Sequence, residues 1–427
     1  MESIIIKKAR VVDPSSTYNG QRCDVLITEG RIVEIAAELK TPDDADVWEA
    51  EGAAISPGWV DLQAHFYDPG AEHKEGLENG ALAASHGGFT RVILNANSLA
   101  HPDNKSAVSF LQAQTEDFTC MIHPMACVSQ QGAGAVLSEM QDLARAGAVA
   151  FSDDQPIDRT EMLRRALEYG STLVQPIMSV PLDLGLNAGA LMHEGVTSTH
   201  MGVTGNPSAS EIMRIQRDLQ IAKYTEGRLH FPVVSAGESV ELIRSAKSEG
   251  INITCGTTAN HLQFTDEDLS AFDGTLKVMP PFRGAADREA LRQGVMDGTI
   301  DAVVSDHRPE DLEHHDVEFS LSSFGIASIE STFAVAHHAL KGMSEGDSLN
   351  AVVRALSTGP RHVLGLEQPT IMPGQRAELT WFHPEQPWEN SSITKGTNML
   401  QFDANQSGKL AGNPLGTVCG MKGFRRG

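Results

Sequence analysis

Two side chains at the end of a predicted strand stand two residues apart, the spacing at which a pair of histidines binds one metal ion. They are Gln63 and His65, and they follow the apolar strand candidate Ala54–Leu62. Alternate residues of a strand point to the same side, so both side chains face one way. An amide is a poor substitute for imidazole on zinc. The spacing therefore allows both side chains to reach one ion at this strand end, with Gln63 as the weaker ligand.

Alternating strands and helices must position these residues. From Ile55 onward, strand-length apolar segments alternate with segments of helical pattern, which predicts βαβ units and a parallel sheet. About eight such repeats predict a closed barrel. The predicted strands are Ala54–Leu62, Phe89–Leu94, Thr119–His123, Ala148–Ser152, Leu173–Ile177, Leu229–Val234, Ile251–Thr254 and Ala302–Ser305.

The two ends of the chain have a different texture, rich in short strands. We expect them to join as one small β-domain, residues 1–54 plus 363–427, beside a barrel of residues 55–362. Short β-rich runs such as Ile4–Ile6 open the first segment, and Leu415–Met421 lies in the second.

Composition narrows the partners and the location. The net charge of −23 over 427 residues argues against nucleic acid or an anionic membrane surface as a partner. The five cysteines are scattered, which favours buried, reduced thiols. No signal peptide or stretch of membrane-spanning length is recognised, so we expect a cytoplasmic protein.

Many ordered segments beyond the first strand end carry a family resemblance. Together they resemble the bacterial dihydroorotases of the amidohydrolase superfamily, over nearly the whole chain. The resemblance implies an α/β fold, a TIM-like (β/α)8 barrel of the metal-dependent hydrolase type with a small composite β-sandwich domain. The matching segments are Pro57–Gly70, His73–Glu75, Gly87–Thr90, Gly147–Asp154, Met192–Gly195, Arg228–His230, Leu242–Lys247, Lys277–Arg283, Ile300–Ala302 and Asp306–His307.

Dihydroorotases open and close the cyclic amide between N-carbamoyl-aspartate and dihydroorotate. Zinc polarises the carbonyl and supplies hydroxide, and a carboxylate moves the proton. The resemblance assigns metal-ligand positions to His65, Asp153 (with Asp154 as its neighbour) and Asp306, and Asp306 is also the proton shuttle, the catalytic residue.

At three other ligand positions of the family the histidine is absent. They are occupied by Gln63, Pro176 and Val233. His230 lies three residues before Val233, on the opposite face of a regular strand, and does not replace it. The remaining residues could hold at most one zinc ion, or none, because two metals need more ligands than three.

The substrate-binding residues are also altered. Asn95 matches a substrate-binding asparagine of the family, but Tyr67 stands where an arginine would bind the substrate carboxylate, and Met279 replaces a second asparagine. Glu310 places an anion where a histidine is expected, and we expect it to repel carboxylate substrates. Arg308 could compensate, and the sequence leaves its direction open.

Two interpretations follow from this resemblance. The preferred one is a pseudoenzyme of pyrimidine biosynthesis, a weak or inactive dihydroorotase homologue that acts as a structural partner of aspartate transcarbamoylase and forms a homo-oligomer. The alternative is an active zinc-dependent dihydroorotase, or a related cyclic-amide hydrolase, that uses a reduced metal site. Whether the chain is still an enzyme stays open at this point, although the lost ligands favour inactivity.

Overall fold

A computed structural model describes residues 3–96, 101–343, 348–388, 393–402 and 410–426. The strands are β1 (Ile4–Val11), β2 (Arg22–Thr28), β3 (Arg31–Ala36), β4 (Asp46–Glu49), β5 (Ala54–Pro57), β6 (Trp59–Ala64), β7 (Phe89–Leu94), β8 (Met121–Ala126), β9 (Ala150–Phe151), β10 (Ile177–Met178), β11 (Met192–His193), β12 (Gly205–Asn206), β13 (Leu229–Phe231), β14 (Ile253–Thr258), β15 (Ala302–Val304), β16 (Glu378–Pro387), β17 (Ala411–Cys419) and β18 (Lys422–Arg425).

The α-helices are α1 (Leu77–His86), α2 (Lys105–Thr115), α3 (Met140–Ala146), α4 (Thr160–Gly170), α5 (Val196–Met201), α6 (Ser208–Thr225), α7 (Gly237–Ser248), α8 (Ala259–Gln263), α9 (Ala285–Asp297), α10 (Leu312–His315), α11 (Thr332–Leu340), α12 (Ser348–Leu356) and α13 (Thr358–Leu364). Short 3-10 helices cover Gln130–Gly132, Asp266–Ala271 and Gly274–Leu276. In α4, the apolar residues Met162, Leu163, Ala166 and Leu167 recur at helical spacing and form its buried face.

The predicted barrel is confirmed. Eight strands are hydrogen-bonded in the order β15-β14-β13-β10-β9-β8-β7-β6. A parallel bridge between Ala64 and His307 joins the two ends of this path. The His65 N–H donates to the His307 carbonyl at 2.9 Å beside that bridge. The strand ends that carry the candidate residues therefore meet around one barrel mouth, as in other barrels of this type.

The small β-domain joins the two ends of the chain in one sheet. Its strand path is β18-β17-β16-β5-β1-β2-β3, with β4 paired to β1. Strand β5 pairs antiparallel with β16, so that Ile55 stands opposite Trp381. A tilted aromatic contact at the base of the barrel, with 5.3 Å between the ring centroids of Trp59 and Phe382, ties this sheet to the first barrel strand.

The predicted strand Ala54–Leu62 is divided between the two domains. Strand β5 belongs to the small domain and β6 to the barrel, with Gly58 between them. The Gly58 N–H donates to the Glu378 carbonyl of the small domain at 2.8 Å. A Cβ atom at Gly58 would lie 2.3 Å from the Thr90 hydroxyl oxygen, so the chain crosses here only with glycine.

Apolar side chains fill the barrel interior below the mouth. Val60 and Leu62 of β6, Ile93 of β7 and Met125 of β8 belong to this core and are almost fully buried. All five cysteines are buried and unpaired. None of the helices in the described ranges is long and apolar enough to cross a membrane.

Candidate functional site

A cavity of about 190 Å³ opens at the C-terminal ends of the barrel strands. Its polar lining includes Gln63, Asp154, Asp306 and Arg308, and apolar side chains, several of them prolines, form most of the remaining wall. Polar groups that converge at a barrel mouth are the usual arrangement of a binding or catalytic site in this fold.

Asp306 follows β15 and lies at the centre of these polar groups. It is 9% exposed, and its φ of 46° is a left-handed conformation that costs free energy in a non-glycine residue. One of its oxygens, Oδ1, accepts hydrogen bonds from Gln63 Nε2 at 2.7 Å and from Arg308 Nε at 3.1 Å. The amide that replaces a histidine thus donates to the expected shuttle carboxylate.

Arg308 points into the mouth, which answers the question its sequence position left open. Its Nη2 lies 3.7 Å from Asp154 Oδ1, so the guanidinium stands between the carboxylates of Asp154 and Asp306. Burial disfavours the charged guanidinium, but these two carboxylates outweigh burial and raise the pKa of Arg308 above its ordinary value. The mouth therefore contains a permanent cation that belongs to the protein.

His65 stands on the other side of Asp154. Asn95 Nδ2 donates to His65 Nε2 at 2.9 Å and to Asp154 Oδ1 at 2.9 Å. Burial, and then the charge of Arg308, hold the pKa of His65 well below its usual range. The imidazole is therefore neutral, and its distance of 3.7 Å from Asp154 Oδ2 is not an ion pair. Asn95 is thus part of this network, whereas its role with substrate stays a prediction.

Asp153 is placed differently from the expectation. Its two carboxylate oxygens accept from the N–H and the hydroxyl of Ser129, at 2.9 and 2.6 Å. Asp154, with a left-handed φ of 51°, is the neighbour that turns toward His65. In the structure the second carboxylate of the mouth is therefore Asp154. The consecutive acids in the sequence were a signal for this choice but could not decide it.

The other two altered ligand positions differ in location. Val233 lines the cavity wall, as expected for a strand end, and offers no donor atom. Pro176 instead precedes the two-residue strand β10, where its carbonyl accepts from the Phe151 N–H at 3.1 Å. Met178 ends that strand and packs in the apolar interior. Our placement of Pro176 at a strand end was wrong because β10 begins only after the proline.

Glu310 is another correction. We expected its charge to repel carboxylate substrates, but Lys74 Nζ pairs with Glu310 Oε2 at 2.7 Å. The buried pair is neutral overall, so Glu310 adds no free anion to the mouth. Tyr67, in the place of the substrate-binding arginine, stacks against His65 with ring centroids 5.6 Å apart. Met279 lines the cavity.

These residues do not fit a zinc ion as they are arranged. The oxygen of Asp306 and the nitrogen of His65 that could coordinate a metal accept hydrogen bonds from Gln63, Arg308 and Asn95. A guanidinium stands where a cation would meet both carboxylates. Over the described ranges, no three His, Cys, Asp or Glu side chains gather in a metal-binding group.

Similarity to known proteins covers the whole chain. Residues 52–239 match the Dihydro-orotase-like family. A dihydroorotase from Syntrophus aciditrophicus (strain SB) is 37% identical over 414 residues, covering 95% of this chain and 96% of that protein. One from Pelotomaculum thermopropionicum is 36% identical, covering 90% and 89%. The L-hydantoinase (dihydropyrimidinase) of Arthrobacter aurescens has the same fold, with a TM-score of 0.81 at 20% identity, covering 100% of this chain and 98% of that one.

Proposed function

Because the chain belongs to the dihydroorotase-like family, we propose that it is a dihydroorotase homologue of pyrimidine biosynthesis that no longer hydrolyses dihydroorotate. We further propose that it serves as a structural partner of aspartate transcarbamoylase. The two proposals have separate support and separate tests.

Loss of hydrolysis is supported by the state of Asp306. A proton shuttle must be free to take a proton from the attacking water and deliver it to the leaving nitrogen. The Oδ1 oxygen of Asp306 is instead held by the Gln63 amide and the Arg308 guanidinium. The residues that would hold zinc, the second requirement of this chemistry, do not fit it.

Partnership with aspartate transcarbamoylase is supported by the resemblance alone. Catalytically silent dihydroorotases of some bacteria form a scaffold with that enzyme, and this chain resembles them in its altered ligand positions. A large barrel that keeps its fold while its mouth loses its chemistry is suited to a structural role. The expected homo-oligomer and the cytoplasmic location stay predictions.

Hydrolysis is tested with purified full-length protein, supplemented with zinc, on dihydroorotate and on N-carbamoyl-aspartate. We expect no turnover above that of the Asp306→Ala variant. The alternative function, an active zinc-dependent dihydroorotase or related cyclic-amide hydrolase, is favoured by one observation: His65 lies 3.7 Å from Asp154, and Arg308 connects Asp154 to Asp306. Turnover in the wild-type protein that Asp306→Ala abolishes would establish that alternative.

Partnership is tested by mixing the protein with the aspartate transcarbamoylase encoded in the same genome. We expect the two to elute together in size-exclusion chromatography and the transcarbamoylase activity to rise or gain stability in the complex. Separate elution at concentrations of roughly 10 μM, with unchanged activity, would contradict the proposal, because a stable interface binds well below that concentration.

A further inference from the structure

The guanidinium of Arg308 occupies the centre of the barrel mouth. We propose that it takes the place of the active-site metal as the permanent cation of the mouth and holds the carboxylates of Asp154 and Asp306 together. The inference concerns the mouth alone and does not depend on the partnership with aspartate transcarbamoylase.

The charges at the mouth require a cation. The side chains of Asp154 and Asp306 are only 5% and 10% exposed. Both carboxylates lie against the same guanidinium, and at such close range two buried carboxylates repel each other and lose their hydration. In a metal-dependent hydrolase the metal would compensate these carboxylates; here the group that meets both is Arg308.

The shape of the guanidinium suits two anions at once. Its Nε donates to Asp306 at 3.1 Å while Nη2 faces Asp154 at 3.7 Å. These two nitrogens lie side by side on one edge of the planar group, so a single arginine offers one fixed donor to each carboxylate. A lysine has no such fixed pair of donors.

The backbone around Arg308 is built to hold the side chain in this position. The Arg308 N–H donates to the Ile326 carbonyl at 2.9 Å, and Asn398 Nδ2 donates to the Arg308 carbonyl at 2.8 Å. Gly325, at a φ of +128°, lies against the side chain, where a Cβ atom would be 2.4 Å from Arg308 Cβ. The position of the cation is therefore supported on several sides.

A metal ion and this arginine exclude each other. Both are cations that need the same two carboxylates, and at one place they would repel strongly in a partly buried site. The wild-type protein should therefore not take up zinc at the mouth. Once Arg308 is removed, the amides of Gln63 and Asn95 still donate to Asp306, Asp154 and His65. An amide is neutral, so a zinc ion can displace it from these side chains, which it cannot do with a fixed guanidinium.

The experiment measures thermal unfolding and bound zinc of the full-length protein, after chelation and after addition of zinc. We expect the wild-type Tm to be unchanged by zinc. Arg308→Ala should unfold several degrees lower without zinc, bind about one zinc per chain, and recover at least half of the lost Tm. A second variant, Arg308→Ala with Asp306→Asn, should lose this recovery because one ligand is gone.

Arg217 provides a matched control. Its side chain is 24% exposed, the same as that of Arg308, and it pairs with the buried carboxylate of Asp218 at 2.6 Å outside the mouth. Arg217→Ala should also lower the Tm, but zinc should not restore it, because no second carboxylate is freed there. Recovery by zinc in Arg308→Ala alone is the specific result.

Three results would overturn the proposal: zinc uptake by the wild-type protein as tight as that of Arg308→Ala, an Arg308→Ala variant as stable as wild type, or a destabilised variant that zinc does not restore. If Arg308→Ala does not fold, Arg308→Lys is used instead, because lysine keeps the positive charge but lacks the planar pair of N–H donors. Arg308→Lys should lower the Tm by less than the loss expected for Arg308→Ala and should take up no zinc. The wild-type zinc measurement applies in either case. None of these three results would bear on the transcarbamoylase mixing experiment.

Discussion

The two ends of the barrel each contain a buried group of three charges, arranged in opposite ways. At the mouth, one guanidinium stands between two carboxylates, with Arg308 facing Asp154 and Asp306. At the base, one carboxylate stands between two guanidinium groups. Glu378 of the small domain accepts from Arg91 Nε and Nη2 at 2.7 and 2.8 Å and is also bound by Arg361 Nη2.

The two groups differ in how their one excess charge is compensated. At the base, Arg361 Nη1 also donates to the Gly58 carbonyl, and the Thr90 hydroxyl donates to Glu378, so the extra positive charge is hydrogen-bonded within packed protein. At the mouth, the extra negative charge borders an open cavity of about 190 Å³. The base has the form of a structural joint, whereas the mouth lies at the end of the barrel where this fold places its reaction sites.

The largest effect should come from breaking the joint at the base. Glu378→Gln leaves two arginines without their carboxylate, and we expect a loss of about 3–5 kcal/mol in the free energy of unfolding, as for other broken buried pairs. Urea unfolding followed by circular dichroism measures it.

Glu385→Gln is the control for this change. The Glu385 side chain is 64% exposed and pairs with Lys341, so the loss should stay within about 0.5 kcal/mol. A loss below about 1 kcal/mol for Glu378→Gln would show that the base triad is not the joint we describe.

A fall in pH should lower the free energy of unfolding through the buried histidines of the barrel wall before it protonates Glu378 at the base. Burial lowers the pKa of His230 to about 3 and that of His261 to about 4, against an ordinary value of 6.5. A lowered folded-state pKa means that the stability is present above pH 6.5 and is lost as pH falls from there toward 4, by about 1.4 kcal/mol per pH unit for each histidine. Burial raises the pKa of several acids, to about 6 for Asp61, and these groups act in the opposite direction. They are Asp61, Asp153, Asp218 and Glu330. The contribution of a histidine is therefore read from the difference between wild type and its variant.

Glu378 should not contribute in this range. Burial opposes its ionisation, but the hydrogen bonds and charges of Arg91 and Arg361 outweigh burial and lower its pKa to about 2. Its contribution is present above its unfolded pKa and is lost only as pH falls toward 2. Unfolding free energies measured from pH 7 to pH 5 should fall with the same slope in wild type and Glu378→Gln, and with a smaller slope in His230→Gln. Equal slopes in wild type and His230→Gln would contradict this account.

A smaller effect should follow from crowding Arg308. Gly325→Ala places a methyl group against the arginine side chain and forces a φ of +128°, and should cost about 1–3 kcal/mol. Gly250→Ala, at a φ of +79° with nothing within 4 Å, should cost only about 1 kcal/mol. Chemical denaturation compares the two, and an equal loss would show that Arg308 is not held by Gly325.

The smallest effect should come from restoring the paired histidines. Gln63→His removes one hydrogen bond to Asp306 and should cost about 0.5–1.5 kcal/mol. It should not restore zinc binding while Arg308 remains. Zinc content by elemental mass spectrometry checks this. About one zinc per chain in Gln63→His would show that the residue at position 63, and not Arg308, determines whether the mouth binds zinc.

The sequence by itself determined the barrel and the residue types at the expected ligand positions. The alternation of apolar strands and helices is a local pattern, so each of the eight barrel strands overlaps its predicted segment, and Phe89–Leu94 has the predicted bounds. That Gln63 and Val233 lack imidazole is likewise plain from residue identity. Strand ends were less secure: Pro176 was misplaced because β10 is only two residues long.

Only the tertiary structure decided how the remaining charges pair. Lys74 and Glu310 are 236 residues apart in the chain, and Gln63 and Asp306 are 243 apart. The choice of Asp154 over Asp153 depends on a single left-handed backbone angle, and the direction of Arg308 depends on the space left by Gly325. Such pairings arise when distant strand ends meet at one mouth, so side-chain identity alone could name the residues at the expected ligand positions but not the guanidinium that stands between Asp154 and Asp306.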